Sequence, residues 1–195
     1  MSKVVVIGGG AAGMFASIAA AGCGHQVVVY EKNEKLGKKL YITGKGRCNL
    51  TNDLPPAEFL QNVVHDGKFL YGAAYSFSPQ SCMDFFSARG LALKTERGGR
   101  VFPLSDHASD VTKTLEKACK NAGVSVLLNE TAVELIAVNE ETEKGTMPRI
   151  TAVKTDKREI GCDTAIICTG GLSYPSTGST GDGYKFAEKF GLKLI

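Results

Sequence analysis

Features that would direct the chain to a membrane, a metal or a nucleic acid are missing from its 195 residues. Glycine or charged residues interrupt every apolar run, so none is long enough to cross a membrane. The net charge of +3 is too small to indicate nucleic-acid binding. The six cysteines form no C-x-x-C pair and no spacing typical of metal ligands, which fits a reduced cytosolic compartment. We therefore expect no membrane, nucleic-acid or metal partner.

The N-terminal segment carries the clearest pattern, which runs strand, glycine turn, helix, strand and acidic residue. Gly8, Gly10 and Gly13 form G-x-G-x-x-G, and Glu31 follows close to the roughly 20-residue distance used by dinucleotide-binding folds. In such folds the first glycine allows a tight turn, the second admits a pyrophosphate and the third lets the helix pack on the strand. The helix N-terminus favours phosphate. Glu31 would accept hydrogen bonds from an adenosine ribose.

Two other interpretations of this segment compete with nucleotide binding. A glycine-rich turn can occur without a ligand, but the flanking strand and helix and the placement of Glu31 disfavour this. Lys3, the apolar run and residues 20–23 resemble a secretory signal with lipid attachment. The glycines would break the helix of such a signal, and cleavage at Cys23 would destroy the unit that Glu31 completes. We therefore expect a cytoplasmic protein.

The remainder of the chain contains further predicted strands and helices. Residues 124–128 and 163–168 have nearly continuous apolar runs and are expected to be buried parallel strands beside residues 3–7 and 26–30. Cys168 is expected to be a small core residue. Helices are predicted over residues 11–21, 56–64, 68–76, 79–90, 108–121 and 183–190, a hairpin over 91–95 and 100–102, and meander strands over 132–138, 149–155 and 157–161 with a polar turn at 139–145.

This order of elements predicts the fold class. A simple NAD domain continues strand–helix–strand, whereas FAD-binding domains of the glutathione-reductase type have a meander after the third parallel strand. We therefore expect an α/β, Rossmann-like FAD-binding domain over residues 1–195, with a parallel sheet, helices and a three-stranded β-meander. Its parts are a parallel βαβ portion (1–128, with a helical excursion at 53–122), the meander (132–161), a returning strand and helix (163–191) and the start of a strand (192–195).

Longer strings in the sequence resemble a known flavoprotein family. The specific string is T-G-K-G-R-C-N-L-T-N from Thr43, supported by G-K-K-L from Gly37 and by T-G-G-L-S-Y-P from Thr169. They resemble the bacterial NAD(P)/FAD-dependent oxidoreductases of the BaiN and aminoacetone-oxidase type, over nearly the whole chain. Members of that family continue with an inserted substrate domain and a C-terminal segment that closes over the flavin. The resemblance therefore implies that this chain is an N-terminal part, inactive by itself.

The resemblance also implies where FAD would bind. The glycine turn would hold the pyrophosphate, Glu31 the ribose, and the backbone of Val133 the adenine. Residues 169–171 would lie close to the pyrophosphate and the ribityl chain, and residues 47–49 would lie toward the isoalloxazine ring. The expected cofactor-binding residues are Gly8, Gly10, Ala11, Ala12, Gly13, Glu31, Lys32, Lys39, Gly46, Arg47, Cys48, Asn49, Val133, Thr169, Gly170 and Gly171.

Catalytic residues are not evident from the sequence, and two side chains are candidates. Cys48 would be a nucleophile if Lys45 and Arg47 lowered its thiol pKa, but a packing role is favoured because no second cysteine is near in sequence. Tyr174 follows the T-G-G turn, where it would act as an acid or simply cover the cofactor. Asp182 is expected to cap the last helix. The three histidines are scattered, and none is assigned as a base.

The leading functional hypothesis is an FAD-dependent oxidoreductase acting on a small organic substrate, by hydride transfer in C=C reduction or in amine or ketone oxidation. NAD(P)H would meet the flavin directly as a transient reductant, because the sequence has no second complete G-x-G-x-x-G with a following acid. A non-catalytic FAD or ADP binding module and an NAD-dependent dehydrogenase are the alternatives, and the meander argues against the dehydrogenase. The sequence indicates neither the substrate nor the oligomeric state.

Overall fold

The structure is a computed structural model that describes residues 1–143 and 145–194. The chain divides into two compact units. The first unit contains Met1–Lys39 and resumes at Leu115, and the second unit is Leu40–Thr114. No helix within the described residues is long and apolar enough to cross a membrane.

Strands and helices occur in both units. The strands are β1 (Lys3–Ile7), β2 (Gln26–Glu31), β3 (Thr51–Asn52), β4 (Leu93–Glu96), β5 (Arg100–Pro103), β6 (Ser125–Leu128), β7 (Ala132–Thr142), β8 (Gly145–Thr155), β9 (Glu159–Gly161) and β10 (Thr164–Ile167). The α-helices are α1 (Ala11–Gly22), α2 (Pro56–Gln61), α3 (Tyr71–Ser76), α4 (Pro79–Ser87), α5 (Ala108–Asn121) and α6 (Asp182–Lys189), and short 3-10 turns cover Leu40–Gly46, Gly67–Leu70 and Pro175–Thr177.

A parallel sheet in the order β10-β1-β2-β6 forms the centre of the first unit. Val5 of β1 is paired with Val28 of β2 on one side and with Ala165 of β10 on the other. Val5 and Val6 are fully buried, as expected for a central strand with an apolar sequence. The predicted α/β class and parallel sheet are therefore confirmed.

The two outer strands are less buried than their apolar sequences predict. β6 and β10 lie at the edges of the described sheet, where Leu128 and Ile167 are 37% and 39% exposed. The expectation of buried strands at 124–128 and 163–168 is therefore wrong, because an apolar run does not distinguish an edge strand from a central one. Cys168 is likewise half-buried and does not belong to the core.

The antiparallel meander β7-β8-β9 is present, as the sequence predicts. Its first hairpin is longer than expected, because residues 139–142 of the predicted polar turn pair with residues 145–148 of β8. Lys144 lies outside the described residues. Leu135 of β7 and Val153 of β8 share one buried core with Tyr30 of β2, so the meander packs on the parallel sheet.

The last helix differs from its predicted start. α6 begins at Asp182 with Gly181 as N-cap, so the expectation that Asp182 caps the helix is wrong. The Asp182 carboxylate instead binds the Lys32 ammonium group at 2.6 Å. Residues 192–194 have no strand structure, contrary to the prediction for 192–195, and Ile195 lies outside the described residues.

The second unit holds a small antiparallel sheet in the order β3-β5-β4. β4 and β5 form the predicted hairpin around Gly98 and Gly99. Helix α4 begins as predicted, because the Ser78 hydroxyl accepts a hydrogen bond from the Ser81 amide at 3.1 Å. α2, α3 and α4 are each shorter than predicted, since turns and non-helical residues replace their ends. α5 has the predicted bounds and leads the chain back to the first unit.

Candidate dinucleotide-binding site

The glycine turn after β1 makes contacts that a side chain would prevent. Gly8 has a left-handed backbone (φ 102°), and its amide donates to the carbonyl oxygen of Tyr30 at 2.8 Å. A Cβ at Gly8 would collide with the carbonyl oxygen of Cys168, which follows β10, and a Cβ at Gly13 would collide with the carbonyl oxygen of Gly8. Both glycines are therefore needed for the close packing of this turn.

The N-terminus of α1 faces open space. Gly10 is its N-cap, no side chain caps this described helix end, and its first turn contains no acidic residue. A Cβ built on Gly10 would meet no protein atom within 4 Å. The amides of Ala11, Ala12 and Gly13 have no partners within the helix. Together with the helix dipole they can bind an anion in this space, so the arrangement fits the pyrophosphate of a dinucleotide.

The acidic residue at the end of β2 is fixed against the glycine turn. Glu31 is 7% exposed, and its Oε2 accepts a hydrogen bond from the Gly9 amide at 2.7 Å. A Cβ at Gly9 would collide with the Leu36 side chain. Gly9 is not one of the motif glycines, and its role was not predicted from the sequence. The run of three glycines is a signal that could have identified it.

A second residue missed from the sequence is Asn33. Its backbone amide and its side-chain Nδ2 both donate to Oε1 of Glu31, at 2.8 and 2.6 Å. An asparagine two residues after an acid usually indicates only a turn, so no sequence signal identified it.

Two residues that follow β6 form backbone hydrogen bonds with the segment that carries Glu31. The Glu130 amide donates to the Glu31 carbonyl oxygen at 3.1 Å, and the Asn129 amide donates to the Asn33 carbonyl oxygen at 3.0 Å. Val133, expected at the adenine, lies at a register shift of β7 and has no paired residue on β8. A β-bulge of this kind leaves one residue outside the hydrogen-bonded ladder, and contact of the Val133 backbone with an adenine stays a prediction.

The T-G-G turn lies beside the glycine turn at the carboxyl end of the parallel strands. A Cβ on Gly8 would come within 3.2 Å of the Thr169 Cα. Gly170 has a left-handed backbone (φ 72°) and packs against Ser179, while Gly171 packs against Tyr184. Ligands of open α/β sheets bind at this edge, and contact of residues 169–171 with the cofactor stays a prediction.

The two lysines expected at the cofactor have partners in the first unit. Lys32 donates to Thr180 Oγ1 and to Asp182 Oδ2, each at 2.6 Å, and Lys39 donates to the carbonyl oxygen of Ser173 at 2.8 Å. Burial raises the pKa of Asp182, but the hydrogen bond and charge of Lys32 outweigh this and the net shift is downward. The charge of Lys32 is therefore balanced by a carboxylate, and phosphate contact by either lysine stays a prediction.

The residues expected near the flavin ring belong to the second unit. Cys48 is 2% exposed and has a left-handed backbone (φ 61°). Burial raises the pKa of its thiol, and only a hydrogen bond with Thr43 opposes this shift. The buried thiol therefore fits the favoured packing role. Neither Lys45 nor Arg47 lowers the pKa of the thiol, which is the effect that the nucleophile hypothesis needed. Tyr174, the other candidate, is 65% exposed in the first unit.

Arg47 is held by acidic partners within the second unit. Its Nη1 donates to Glu96 Oε1 at 2.7 Å and to Asp106 Oδ1 at 3.3 Å, and its guanidinium carbon lies 4.0 Å from the centre of the Phe102 ring. Lys94 binds the same two carboxylates. This network anchors the residues around Gly46 and Asn49 to the hairpin of β4 and β5.

The Arg47 network makes a prediction about pH. The hydrogen bond from Arg47 is the main cause that lowers the pKa of Glu96 below its ordinary value of 4.5. Because the folded pKa is depressed, the network stabilises the fold above that ordinary value, and the contribution is lost as the pH falls through the folded pKa. In an NMR titration, Arg47→Gln is expected to move the Glu96 pKa back toward 4.5, while Arg97→Gln on the same hairpin leaves it unchanged. An equal Glu96 pKa in the unchanged protein and in both variants would contradict the claim that Arg47 lowers it.

Gly10 allows a test of the space before α1. Gly10→Val is expected to abolish ADP binding, because its side chain would enter that space, where a Cβ meets no protein atom within 4 Å. The thermal unfolding midpoint should fall by only a few degrees, because valine is a poorer N-cap than glycine. Gly22→Val is the matched control, since a Cβ at Gly22 also meets no atom within 4 Å but lies at the other end of α1. Unchanged ADP affinity of Gly10→Val in calorimetric titration would exclude this pyrophosphate position.

Solved structures share the fold of this chain. An open flavocytochrome c3 fumarate reductase matches with a TM-score of 0.76 and 20% identity, over 97% of this chain and 40% of that one. The 3-ketosteroid delta1-dehydrogenase of Sterolibacterium denitrificans matches with a TM-score of 0.69 and 15% identity, over 97% of this chain and 55% of that one. The fold is the Rossmann-like FAD-binding fold that the sequence predicts.

Sequence comparisons identify the family. The chain is 34% identical over 196 residues to a 3-dehydro-bile acid delta(4,6)-reductase of Clostridium scindens, covering 100% of this chain and 45% of the relative. It is 31% identical over 192 residues to a ribosomal RNA dihydrouridine synthase of Escherichia coli, covering 98% and 45%. The chain thus spans slightly less than half the length of these relatives. Residues 2–195 match the model of the HI0933-like protein Rossmann domain, and the chain belongs to that family.

Proposed function

We propose that this chain binds the FAD of an oxidoreductase that reduces a carbon–carbon double bond next to a carbonyl group in a small organic molecule. The nucleotide part of the proposal rests on the open, uncapped N-terminus of α1 beside the buried Glu31 carboxylate. The relatives' names support the reaction, because a delta(4,6)-reductase removes C=C bonds and dihydrouridine is uridine with a reduced ring C=C bond.

The residues of this chain would bind and orient the cofactor. The amides of Ala11, Ala12 and Gly13 would donate to the pyrophosphate, and Glu31 would accept hydrogen bonds from the adenosine ribose. Thr169 would lie along the ligand at the same edge of the sheet. Bound FAD would supply transfer of a hydride from NAD(P)H to one substrate carbon, and a proton from solvent would complete the reduction at the other.

The substrate class is proposed from charge. One relative is named for a bile acid and the other for ribosomal RNA. A net charge of +3 gives this chain little general attraction for a polyanion, whose binding depends on many phosphate contacts. We therefore propose a small conjugated enone as the substrate.

The test uses the native protein as cells produce it, under anaerobic conditions. We expect bound flavin whose visible absorbance is bleached by NADPH or NADH and restored by a conjugated steroid enone. Restoration by unmodified ribosomal RNA, with none by the enone, would contradict the small-molecule proposal.

Other results would contradict other parts of the proposal. Direct bleaching by a small amine, without nicotinamide, would show that the enzyme oxidises its substrate. Bound flavin whose visible absorbance is bleached by neither NADPH nor NADH would favour a non-catalytic binding module. A colourless protein that binds NAD and takes up no added FAD would favour an NAD-dependent dehydrogenase.

A further inference from the structure

The side chain of Asn33 connects two segments of the nucleotide site. Its Nδ2 donates to Glu31 Oε1 at 2.6 Å and to the carbonyl oxygen of Thr177 at 3.1 Å, while its Oδ1 accepts from Lys38 Nζ at 3.2 Å. The amide orientation follows from these partners, because the opposite orientation would place Oδ1 against two acceptors. Asn33 therefore ties the ribose-binding acid to residues 174–180, here called the strap.

Glu31 has too few free acceptor positions for a ribose. A carboxylate offers roughly four such positions. Three are used in this structure, by the Gly9 amide, the Asn33 amide and Asn33 Nδ2. The two vicinal hydroxyls of a ribose need two positions, so one protein donor must leave. The two backbone donors are fixed by the fold, and only Nδ2 lies on a side chain that can rotate.

We propose that Asn33 Nδ2 occupies the place of one ribose hydroxyl, and that nucleotide binding displaces it and releases the strap. This inference rests on the proposed nucleotide site. Displacement breaks the bond to Glu31 and, because the same nitrogen makes both, the bond to the Thr177 carbonyl oxygen. Occupancy of the adenosine end is thereby transmitted to the strap, which follows the T-G-G turn.

The strap is built to accept this side chain. Gly178 has a left-handed backbone (φ 99°), and a Cβ there would lie 2.6 Å from Asn33 Nδ2. Around Thr177 the strap also has short-range bonds, from the amides of Thr177 and Gly178 to the carbonyl oxygens of Tyr174 and Pro175, both 2.9 Å long. The contact of Lys32 with Thr180 remains when Asn33 rotates. Release therefore loosens the middle of the strap without unfolding it.

The test measures amide hydrogen exchange at Thr177 and Gly178 in protein freed of bound FAD, with and without saturating ADP. In the unchanged protein, ADP is expected to speed exchange about threefold to tenfold, the effect of losing one hydrogen bond. Asn33→Ala should show this faster exchange without ADP and no further change with it. Asn62→Ala is the control, since Asn62 Nδ2 also donates to a backbone carbonyl, that of Glu58, but belongs to the second unit.

ADP affinity provides the second measurement. Asn33→Ala should bind ADP as tightly as the unchanged protein or up to about tenfold more tightly, because a competing donor is gone. ADP binding with unchanged or slower exchange at the strap would overturn the inference, as would weaker ADP binding by Asn33→Ala. If the unchanged protein does not bind ADP at all, the proposed nucleotide site itself fails, and the inference fails with it.

Discussion

The hydrogen bond between the Gly9 amide and the buried carboxylate of Glu31 is the contact on which the site depends. A buried carboxylate needs hydrogen-bond partners, and this partner is the backbone of the glycine turn itself. The bond fixes the acid at the end of β2 relative to the start of α1. Glycine at position 9 suits this contact, because a side chain there would have to displace the buried side chain of Leu36. The glycine turn and the acid proposed to bind the ribose are thus held together, while Asn33 Nδ2 occupies one acceptor position of that acid.

In the second unit, ion pairs of Arg47 fix a loop to a hairpin, as the bond from Gly9 fixes Glu31 to the glycine turn. Arg47 lies in a loop where Lys45 and Cys48 have left-handed backbones, a conformation that non-glycine residues rarely adopt. Its bonds to Glu96 and Asp106 and its contact with Phe102 hold that loop to the hairpin. A structural role for Arg47 therefore rests on described contacts, whereas contact with FAD stays a prediction.

Elements that depend on a local sequence pattern could be predicted correctly. Features that depend on contacts between residues far apart in the chain could not. The bounds of β1 and α5 follow from an apolar run and a periodic helix with a glycine stop, and both agree with the structure. The edge positions of β6 and β10 depend on which strands pair, which an apolar run does not reveal. The partners of Arg47 lie 49 and 59 residues further along the chain. Asn33 has the sequence signature of an ordinary turn, and its contact with Thr177 crosses 144 residues.

Calorimetric titration of ADP into FAD-free samples of the unchanged protein, Glu31→Gln and Glu34→Gln tests the central claim most directly. Glu34 is the matched control, because its side chain is in the same loop but is 58% exposed and bonded to Lys38. Loss of a charge-assisted hydrogen bond weakens binding by roughly 1.5–3 kcal/mol, so Glu31→Gln should lower ADP affinity at least tenfold. Glu34→Gln should leave it unchanged. Equal ADP affinity in all three folded proteins would contradict the claim that Glu31 binds the adenosine ribose.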